Sequence, residues 1–166
     1  SPHRLHLAIA PPKNPSRFEW MVEKITELGI DAITPIVTGR SEKFRLKQDR
    51  LQKIAISALK QSGNSFLPTI NKVTHFGEVI PLLTNYNNKF IAHCQTEGLP
   101  HLAGYSLGSH ETVILIGPEG DFTLDEIDLA VKAGFTAVSL GNSRLRTETA
   151  GFYVTTLHNI LKNRDQ

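Results

Sequence analysis

The fold of this chain is decided by the stretch Val113-Ile114-Leu115-Ile116-Gly117-Pro118-Glu119-Gly120-Asp121-Phe122. It runs from an aliphatic segment, typical of a buried strand, into a turn with two glycines. Thr123 and Glu126 then have the spacing of a capping box, which predicts that a helix begins at once. In α/β sheets, ligands bind where strands turn into helices, and Gly117 and Gly120 would let the backbone approach one closely. A plain tight turn would have the same pattern, so this stretch alone leaves both interpretations open.

Short apolar segments alternate with amphipathic segments along the rest of the chain. Strands are predicted at residues 4–9, 32–37, 89–94, 112–116 and 136–140. Helices are predicted at residues 15–28, 46–59, 76–83, 123–132 and 147–161, where apolar residues recur at helical spacing. This alternation predicts an α/β domain with a mainly parallel sheet. Because no repeat or linker interrupts it, residues 1–166 are predicted to form one domain, with a loop at residues 98–108.

A second glycine corner lies at residues 139–151, Ser-Leu-Gly-Asn-Ser-Arg-Leu-Arg-Thr-Glu-Thr-Ala-Gly. A predicted strand ends at a glycine, and a loop with Arg144 and Arg146 leads into the last helix. Thr147 is predicted to cap that helix. An exposed basic loop with an ordinary cap would also fit. Two glycine corners at strand ends nevertheless suggest that both face one pocket.

The composition is that of an ordinary globular protein, with 166 residues, 40% hydrophobic residues and a formal net charge of +2. No apolar segment approaches the roughly 20 residues that span a bilayer. The start at Ser1 lacks the layout of a signal peptide, so a cytoplasmic protein is predicted. Cys94 is the single cysteine and is predicted to be a small core residue at the end of a strand. The histidines are scattered without a His-Glu-x-x-His pattern, and no metal site is predicted.

Charge and motifs narrow the possible ligands. Basic residues cluster between residues 40 and 53, which permits an anionic partner but also fits a solvated helix face. The sequence contains neither G-x-G-x-x-G nor G-x-x-x-x-G-K-[ST], so NAD, FAD and ATP are disfavoured. Glu119 stands where a phosphate would lie, and its charge would suit a cation such as a sulfonium better.

These two segments together resemble the signature of the RsmE-type 16S ribosomal RNA uridine N3-methyltransferases of the SPOUT superfamily. The matching segments are residues 117–122 and 140–150, in this order. Residues 19–29, 38–41 and 60–62 resemble the family's first helix, an Arg-Ser segment and a Gln-Ser at the end of the second helix. The resemblance covers nearly the whole chain.

The resemblance implies a SPOUT-type fold, a mainly parallel sheet flanked by helices with a C-terminal deep trefoil knot. It implies that S-adenosyl-L-methionine is the cofactor, that the substrate is 16S ribosomal RNA in the small subunit, and that the protein is a homodimer. The loop after Cys94 would also hold the cofactor. The cofactor-binding residues that it implies are Leu115, Ile116, Gly117, Pro118, Glu119, Gly120, Leu140, Gly141, Asn142, Leu145, Arg146 and Ala150.

The uracil N3 carries a proton and becomes a nucleophile only when that proton leaves, so a cation near the base oxygens would help. Arg146 is the first candidate for this role and Arg40 is the second. Glu119 or Glu148 would orient Arg146 or accept a proton, and no residue is assigned firmly as the general base.

Two departures from the family pattern reduce the expected RNA contacts. Full-length members carry an N-terminal PUA-like barrel, which does not precede Ser1, and a basic residue is expected near Asn64. Two other functions stay open from the sequence. One is a non-catalytic RNA-binding or ribosome-assembly module with the same fold, and the other is an α/β enzyme that uses a nucleotide cofactor.

Overall fold

The central sheet is parallel throughout the part of the chain that this computed structural model describes, residues 4–107 and 110–164. Its strands are β1 (Leu5–Ile9), β2 (Ala32–Val37), β3 (Thr69–Ile70), β4 (Thr74–His75), β5 (Asn88–Ala92), β6 (Thr112–Ile116) and β7 (Thr136–Val138). Their order across the sheet is β3-β2-β1-β6-β5-β7, and β4 also pairs with β2. The prediction of a mainly parallel sheet is confirmed. Residues 1–3, at the predicted start of the domain, and Gly108, at the end of the predicted loop, lie outside the described residues.

Helices cover both faces of this sheet. They are α1 (Pro15–Glu27), α2 (Gln48–Ser62), α3 (Phe76–Leu82), α4 (Leu124–Lys132) and α5 (Thr147–Arg164). α1, α2 and α5 pack on one face, whereas α3 and α4 pack on the other. The capping box predicted for α4 is present, with Thr123 and Glu126 each bonding to the other's backbone N–H.

The first strand shows why the sheet has two cores. Leu7 and Ile9 point into the core beneath α1 and α5, and Ala8 points into the opposite core. All five residues of β1 are buried, including His6. A strand covered on both faces is apolar on both, as is typical of parallel sheets.

Two predicted strands end earlier than their apolar patterns suggest. β5 ends at Ala92 and β7 ends at Val138, because the chain turns away from the sheet at both points. The prediction that Cys94 is a core residue is wrong, since its side chain is exposed beyond the end of β5. The short strands β3 and β4 were not predicted, because two residues are too few to show an alternating pattern.

The predicted loop at residues 98–108 is partly ordered by contacts with the sheet edge. It contains a short 3-10 helix, Leu102–Gly104, in which Leu102 is fully buried. His101 pairs with Ser139 as an isolated parallel bridge. The chain segments that follow β5 and β7 are therefore joined at the carboxyl edge of the sheet.

Asn64 has a structural task where the resemblance suggested a basic RNA-binding residue. Its side-chain amide donates hydrogen bonds to the carbonyl oxygens of Thr26, at 3.2 Å, and Glu27, at 2.8 Å. Both carbonyls belong to the last turn of α1, where helical N–H partners run out, and that of Thr26 also accepts the backbone N–H of Gly29 at 3.0 Å. Asn64 therefore ties the end of α2 to the end of α1.

Gly151 lets α5 lie directly on the first strand and the first helix. A Cβ atom at this position would stand 2.4 Å from Sδ of Met21 and 3.2 Å from terminal carbons of Leu7 and Ile9. This close approach places the beginning of α5 beside the turn that follows β6.

Residues 4–107 and 110–164 contain neither a membrane-spanning helix nor a cluster of metal-ligating side chains. No helix in this part of the chain has the length and apolarity needed to cross a membrane. No group of three or more His, Cys, Asp or Glu side chains lies close enough together there to hold a metal ion. The absence of a metal site stays a prediction of the sequence.

Candidate active site

A cleft opens at the carboxyl ends of β5, β6 and β7. The chain segments that follow these three strands form its walls, and the first turns of α5 close one side. Its lining consists of Ala92, His93, Cys94, Ile116, Gly117, Pro118, Glu119, Asp121, Leu140, Gly141, Ser143, Arg144, Leu145, Thr147 and Ala150. Both glycine corners therefore face one pocket, as their positions at strand ends predicted.

The turn after β6 is held in shape by close packing. A Cβ atom on Gly117 would lie 3.1 Å from ring carbons of Phe122, whose side chain is fully buried. The N–H of Asp121 donates to the carbonyl of Pro118 at 2.9 Å, which closes the turn. Asp121 itself has φ +68°, a left-handed conformation that Asp tolerates better than most residues.

The Asp121 carboxylate connects two walls of the cleft, and sequence reasoning missed it. One oxygen accepts hydrogen bonds from the backbone N–H of Cys94, at 2.7 Å, and the side-chain amide of Gln95, at 3.3 Å. The other accepts from the backbone N–H of Phe122 at 2.8 Å. The residue is 8% exposed. The one sequence signal for Asp121 is its position in the turn, because the local sequence pattern does not reveal which distant residues it contacts.

Thr147 connects the third wall to the same turn. Its hydroxyl donates to the carbonyl oxygen of Gly117 at 3.2 Å. The prediction that Thr147 caps α5 is wrong. Thr147 is the first residue of the helix itself. The residue before the helix is Arg146, whose carbonyl accepts the first helical hydrogen bond, from the N–H of Ala150. The threonine is therefore used for tertiary contact rather than for helix capping.

An arginine from α1 pairs with two carboxylates at the edge of the cleft. Nη2 of Arg17 donates to Glu148 and to Glu119, each at 2.8 Å, and Nε of Arg17 donates to Glu148 as well. The hydrogen bond with Arg17 holds the pKa of Glu148 below its ordinary value, and the two carboxylates raise the pKa of Arg17. Glu148 also lies near Arg146, as expected, since both line one groove with Arg17 and the charge of Arg146 acts on Glu148. The pairing with Arg17 was not predicted, because Arg17 is far away in the chain.

Arg40 contacts the turn after β6 from outside the cleft. Its Nη1 donates to the carbonyl oxygens of Gly120, at 2.9 Å, and Phe122, at 3.4 Å. A Cβ atom on Gly120 would stand 3.3 Å from Cβ of Arg40, so the glycine makes room for this side chain. Arg40 does not line the cleft.

His93 is the one histidine among the residues that line the cleft. It is 6% exposed, and its Nδ1 accepts the N–H of Gln95 at 3.1 Å. Burial lowers the pKa of His93, although the charge of Asp121 acts in the opposite direction. A neutral imidazole at this position adds no positive charge that would repel a cationic ligand.

The structure brings most of the expected cofactor residues together. Those that line the cleft are Ile116, Gly117, Pro118, Glu119, Leu140, Gly141, Leu145 and Ala150. Leu115 lies instead in the core behind the turn, and Gly120 lies against Arg40. Asn142 is exposed outside the lining, and Arg146 lies in a neighbouring groove with Trp20. The roles of all these residues stay predictions.

Comparison with known proteins identifies the family. A family model described as an RNA methyltransferase domain matches residues 1–159. The chain belongs to this RNA methyltransferase family. Its resemblance to the RsmE-type enzymes is likewise confirmed by the relatives that it matches.

Relatives of this RNA methyltransferase domain include curated proteins and solved structures. Ribosomal RNA small subunit methyltransferase E from Synechocystis is 35% identical over 149 residues, 87% of this chain and 49% of that protein. The crystal structure of a probable rRNA-methyltransferase from Porphyromonas gingivalis has a TM-score of 0.91 and 40% identity, covering 98% of this chain and 69% of the other. Ribosomal RNA small subunit methyltransferase E from Neisseria gonorrhoeae, bound to S-adenosyl methionine, has a TM-score of 0.86 and 31% identity over 96% of this chain and 66% of its own. The chain thus spans only about half the length of the curated Synechocystis relative.

Proposed function

We propose that this chain is the catalytic domain of an S-adenosyl-L-methionine-dependent methyltransferase that methylates N3 of a uridine in 16S ribosomal RNA. The observation that carries the proposal is the single cleft into which the segments after β5, β6 and β7 converge. Such a substrate would place the activity in the cytoplasm, on the small ribosomal subunit. The relatives named above support the choice of both cofactor and RNA.

The residues of the cleft fit an adenosine carrying a sulfonium group. Aliphatic side chains that suit the faces of an adenine are present at Ile116, Leu140 and Leu145. Glu119 adds a carboxylate at the border of the cleft, which favours a cation and disfavours a phosphate. When bound, S-adenosylmethionine supplies an electrophilic methyl group and leaves as a neutral thioether.

Arg146 is our first candidate for activating the uridine. It is exposed and lies between the cleft residues Leu145 and Thr147. Within the described ranges its guanidinium forms no hydrogen bond or ion pair, and the charge of Glu148 acts on it electrostatically. Its guanidinium is free to stabilise the negative charge that develops on the uracil oxygens as the N3 proton leaves. Arg40, the second candidate, already binds two carbonyl groups, so we assign it to holding the turn.

Glu119 is proposed to act through its charge. It borders the cleft, and its carboxylate is paired with Arg17. Its negative charge would attract the positively charged cofactor.

The architecture and assembly implied by the resemblance are part of the proposal. Residues 1–166 would form one SPOUT domain, with the knot formed by the segments after β5 and β7. The bridge between His101 and Ser139 supports a close association of these segments. A homodimer would cover apolar side chains that α1 and α5 expose, such as Trp20 and Ile160. Light scattering behind size exclusion would measure the mass of the particle.

A methyl-transfer assay on small ribosomal subunits that lack the modification tests the function. We expect radiolabel from S-adenosylmethionine to enter 16S ribosomal RNA, and mapping of the product to find methyl on N3 of one uridine. Subunits that already carry the modification are the matched control and should accept no label. RNA binding without any cofactor binding would favour the non-catalytic module instead.

A further inference from the structure

Asp121 has a backbone conformation that the turn could have obtained more easily from glycine. Among residues 4–107 and 110–164, it is the one residue other than glycine with a positive φ, at +68°. L-residues adopt this region at a conformational cost, which Asp and Asn bear best. The side chain at this position must therefore make contacts that offset the cost.

Those contacts join two walls of the cleft. The carboxylate accepts the backbone N–H of Cys94 at 2.7 Å and the side-chain amide of Gln95 at 3.3 Å, both beyond the end of β5. Its other oxygen accepts the N–H of Phe122, within the turn after β6. Hydrogen bonds to a carboxylate are stronger than those between neutral groups, and this carboxylate is well shielded from water.

Next to Cys94, the segment after β5 is otherwise held to β7 and not to the turn after β6, because the backbone N–H of His93 donates to the carbonyl oxygen of Val138 at 3.3 Å. The N–H of Gln95 bonds to the ring of His93 two residues away, which shapes the segment locally but does not attach it to the turn. Cys94 itself is exposed and lines the cleft. The position of this wall relative to Gly117 and Pro118 therefore depends on Asp121.

We propose that Asp121 is a positioning residue for the cofactor, because it holds the segment at Cys94 against the turn in the geometry that binds S-adenosylmethionine. The inference rests on the proposed function. Asp121 acts through the backbone position of Cys94 and not through its charge on the sulfonium. Loss of the Asp121 carboxylate should therefore weaken the binding of S-adenosylmethionine and the binding of the neutral product S-adenosylhomocysteine to the same degree.

Calorimetric titration of the two ligands tests the proposal. Asp121→Gly keeps the backbone unstrained and removes the carboxylate, and we expect both dissociation constants to rise about tenfold or more. Asp121→Asn retains one acceptor oxygen, so its dissociation constants for both ligands should lie between those of Asp121→Gly and those of the wild type. Asp125→Asn, an exposed carboxylate of the same region, is the matched control and should leave both constants unchanged. If only the binding of S-adenosylmethionine became weaker, the Asp121 carboxylate would be recognising the sulfonium through its charge, and the proposal would be overturned.

A second readout needs no cofactor. Cys94 is the single cysteine of the chain, so the rate at which a thiol reagent labels the native protein reports on this wall. We expect Asp121→Gly to change that rate severalfold while the thermal midpoint stays near that of the wild type. An unchanged labelling rate, or wild-type affinity for both ligands, would refute the proposal. A wild-type protein that binds neither ligand would contradict the proposed function, and labelling would still test the contact between Asp121 and Cys94.

Discussion

The hydroxyl of Thr147 donates a hydrogen bond to the carbonyl oxygen of Gly117 at 3.2 Å, in a fully buried contact between α5 and the turn after β6. Together with the contact between Asp121 and Cys94, it attaches the other two walls of the cleft to this turn. The turn is therefore the element around which the cleft is built.

Thr147→Val should destabilise the protein by about 1–3 kcal/mol, because it leaves the buried carbonyl of Gly117 with one partner fewer. Valine keeps the shape of threonine, so packing is preserved. Urea unfolding at pH 7 measures the change. Thr149→Val, at an exposed position of the same helix turn, should alter the free energy of unfolding little. Equal effects of the two substitutions would contradict a specific role for the contact.

Gly151→Ala should destabilise the protein by about 1–3 kcal/mol through overpacking. The new methyl group would stand 2.4 Å from Sδ of Met21, which is fully buried. Gly77→Ala is the matched control, because this glycine also lies in a helix but nothing is within 4 Å of its Cβ position. The control should be neutral or stabilising, since alanine favours helices. Thermal unfolding of both variants decides the point, and an unchanged midpoint for Gly151→Ala would exclude tight packing there.

Acid should weaken the fold through His6. Burial lowers the pKa of His6 from 6.5 to about 4, so between these values the unfolded chain binds the proton and the folded chain does not. Stability should therefore fall as the pH drops from 6.5 to 4, by about 3 kcal/mol from this group alone. His6→Gln removes this titration, so the difference between wild type and variant should shrink over that pH range. The exposed His75→Gln should leave the pH profile as it is.

Glu148→Gln should destabilise the protein at neutral pH by about 1–2 kcal/mol, because Arg17 loses its more buried partner. Since pairing lowers the pKa of Glu148, its contribution is complete above the unfolded value near 4.5 and is lost as the pH falls through the folded value. The variant and the wild type should thus converge in stability towards pH 3. Urea unfolding at both pH values measures this, with the exposed Glu97→Gln as the control. A difference that persists at pH 3 would argue against the ion pair.

Arg146→Ala should lower kcat for methyl transfer by about 100-fold or more and leave the dissociation constant of S-adenosylmethionine nearly unchanged. Its guanidinium is proposed to act on the uracil and lies outside the lining of the cleft. Arg144→Ala is the informative comparison, since Arg144 does line the cleft and should affect cofactor binding more. If Arg144→Ala lowers kcat and Arg146→Ala does not, the two roles are exchanged.

Much of the fold could be predicted from local pattern. The boundaries of β2 and β6 agree with the predicted strands, and the capping box at Thr123 and Glu126 marks the start of α4. Local chemistry suffices for such features, because side-chain periodicity and capping act within a few residues. The two glycine corners were also placed at the ends of strands by the same means.

The connections between distant segments could not be predicted in this way. Nothing near Asp121 in the chain indicates that it binds Cys94, and nothing near Arg17 indicates Glu119 and Glu148. Thr147 fitted the pattern of a helix cap, yet its hydroxyl donates a hydrogen bond to Gly117 in the turn after β6. Cys94 satisfied the pattern of a buried strand, yet the chain leaves the sheet two residues earlier.

By itself, the sequence determined an α/β domain with a parallel sheet and two glycine corners at strand ends, and it predicted that the ligand site between them is unsuited to phosphate. Only the tertiary structure decided which side chains hold the walls of that cleft together. The physical reason is range. Helix and strand patterns depend on neighbours in the chain, whereas the partner of a buried carboxylate or hydroxyl depends on which segments the packed sheet brings side by side.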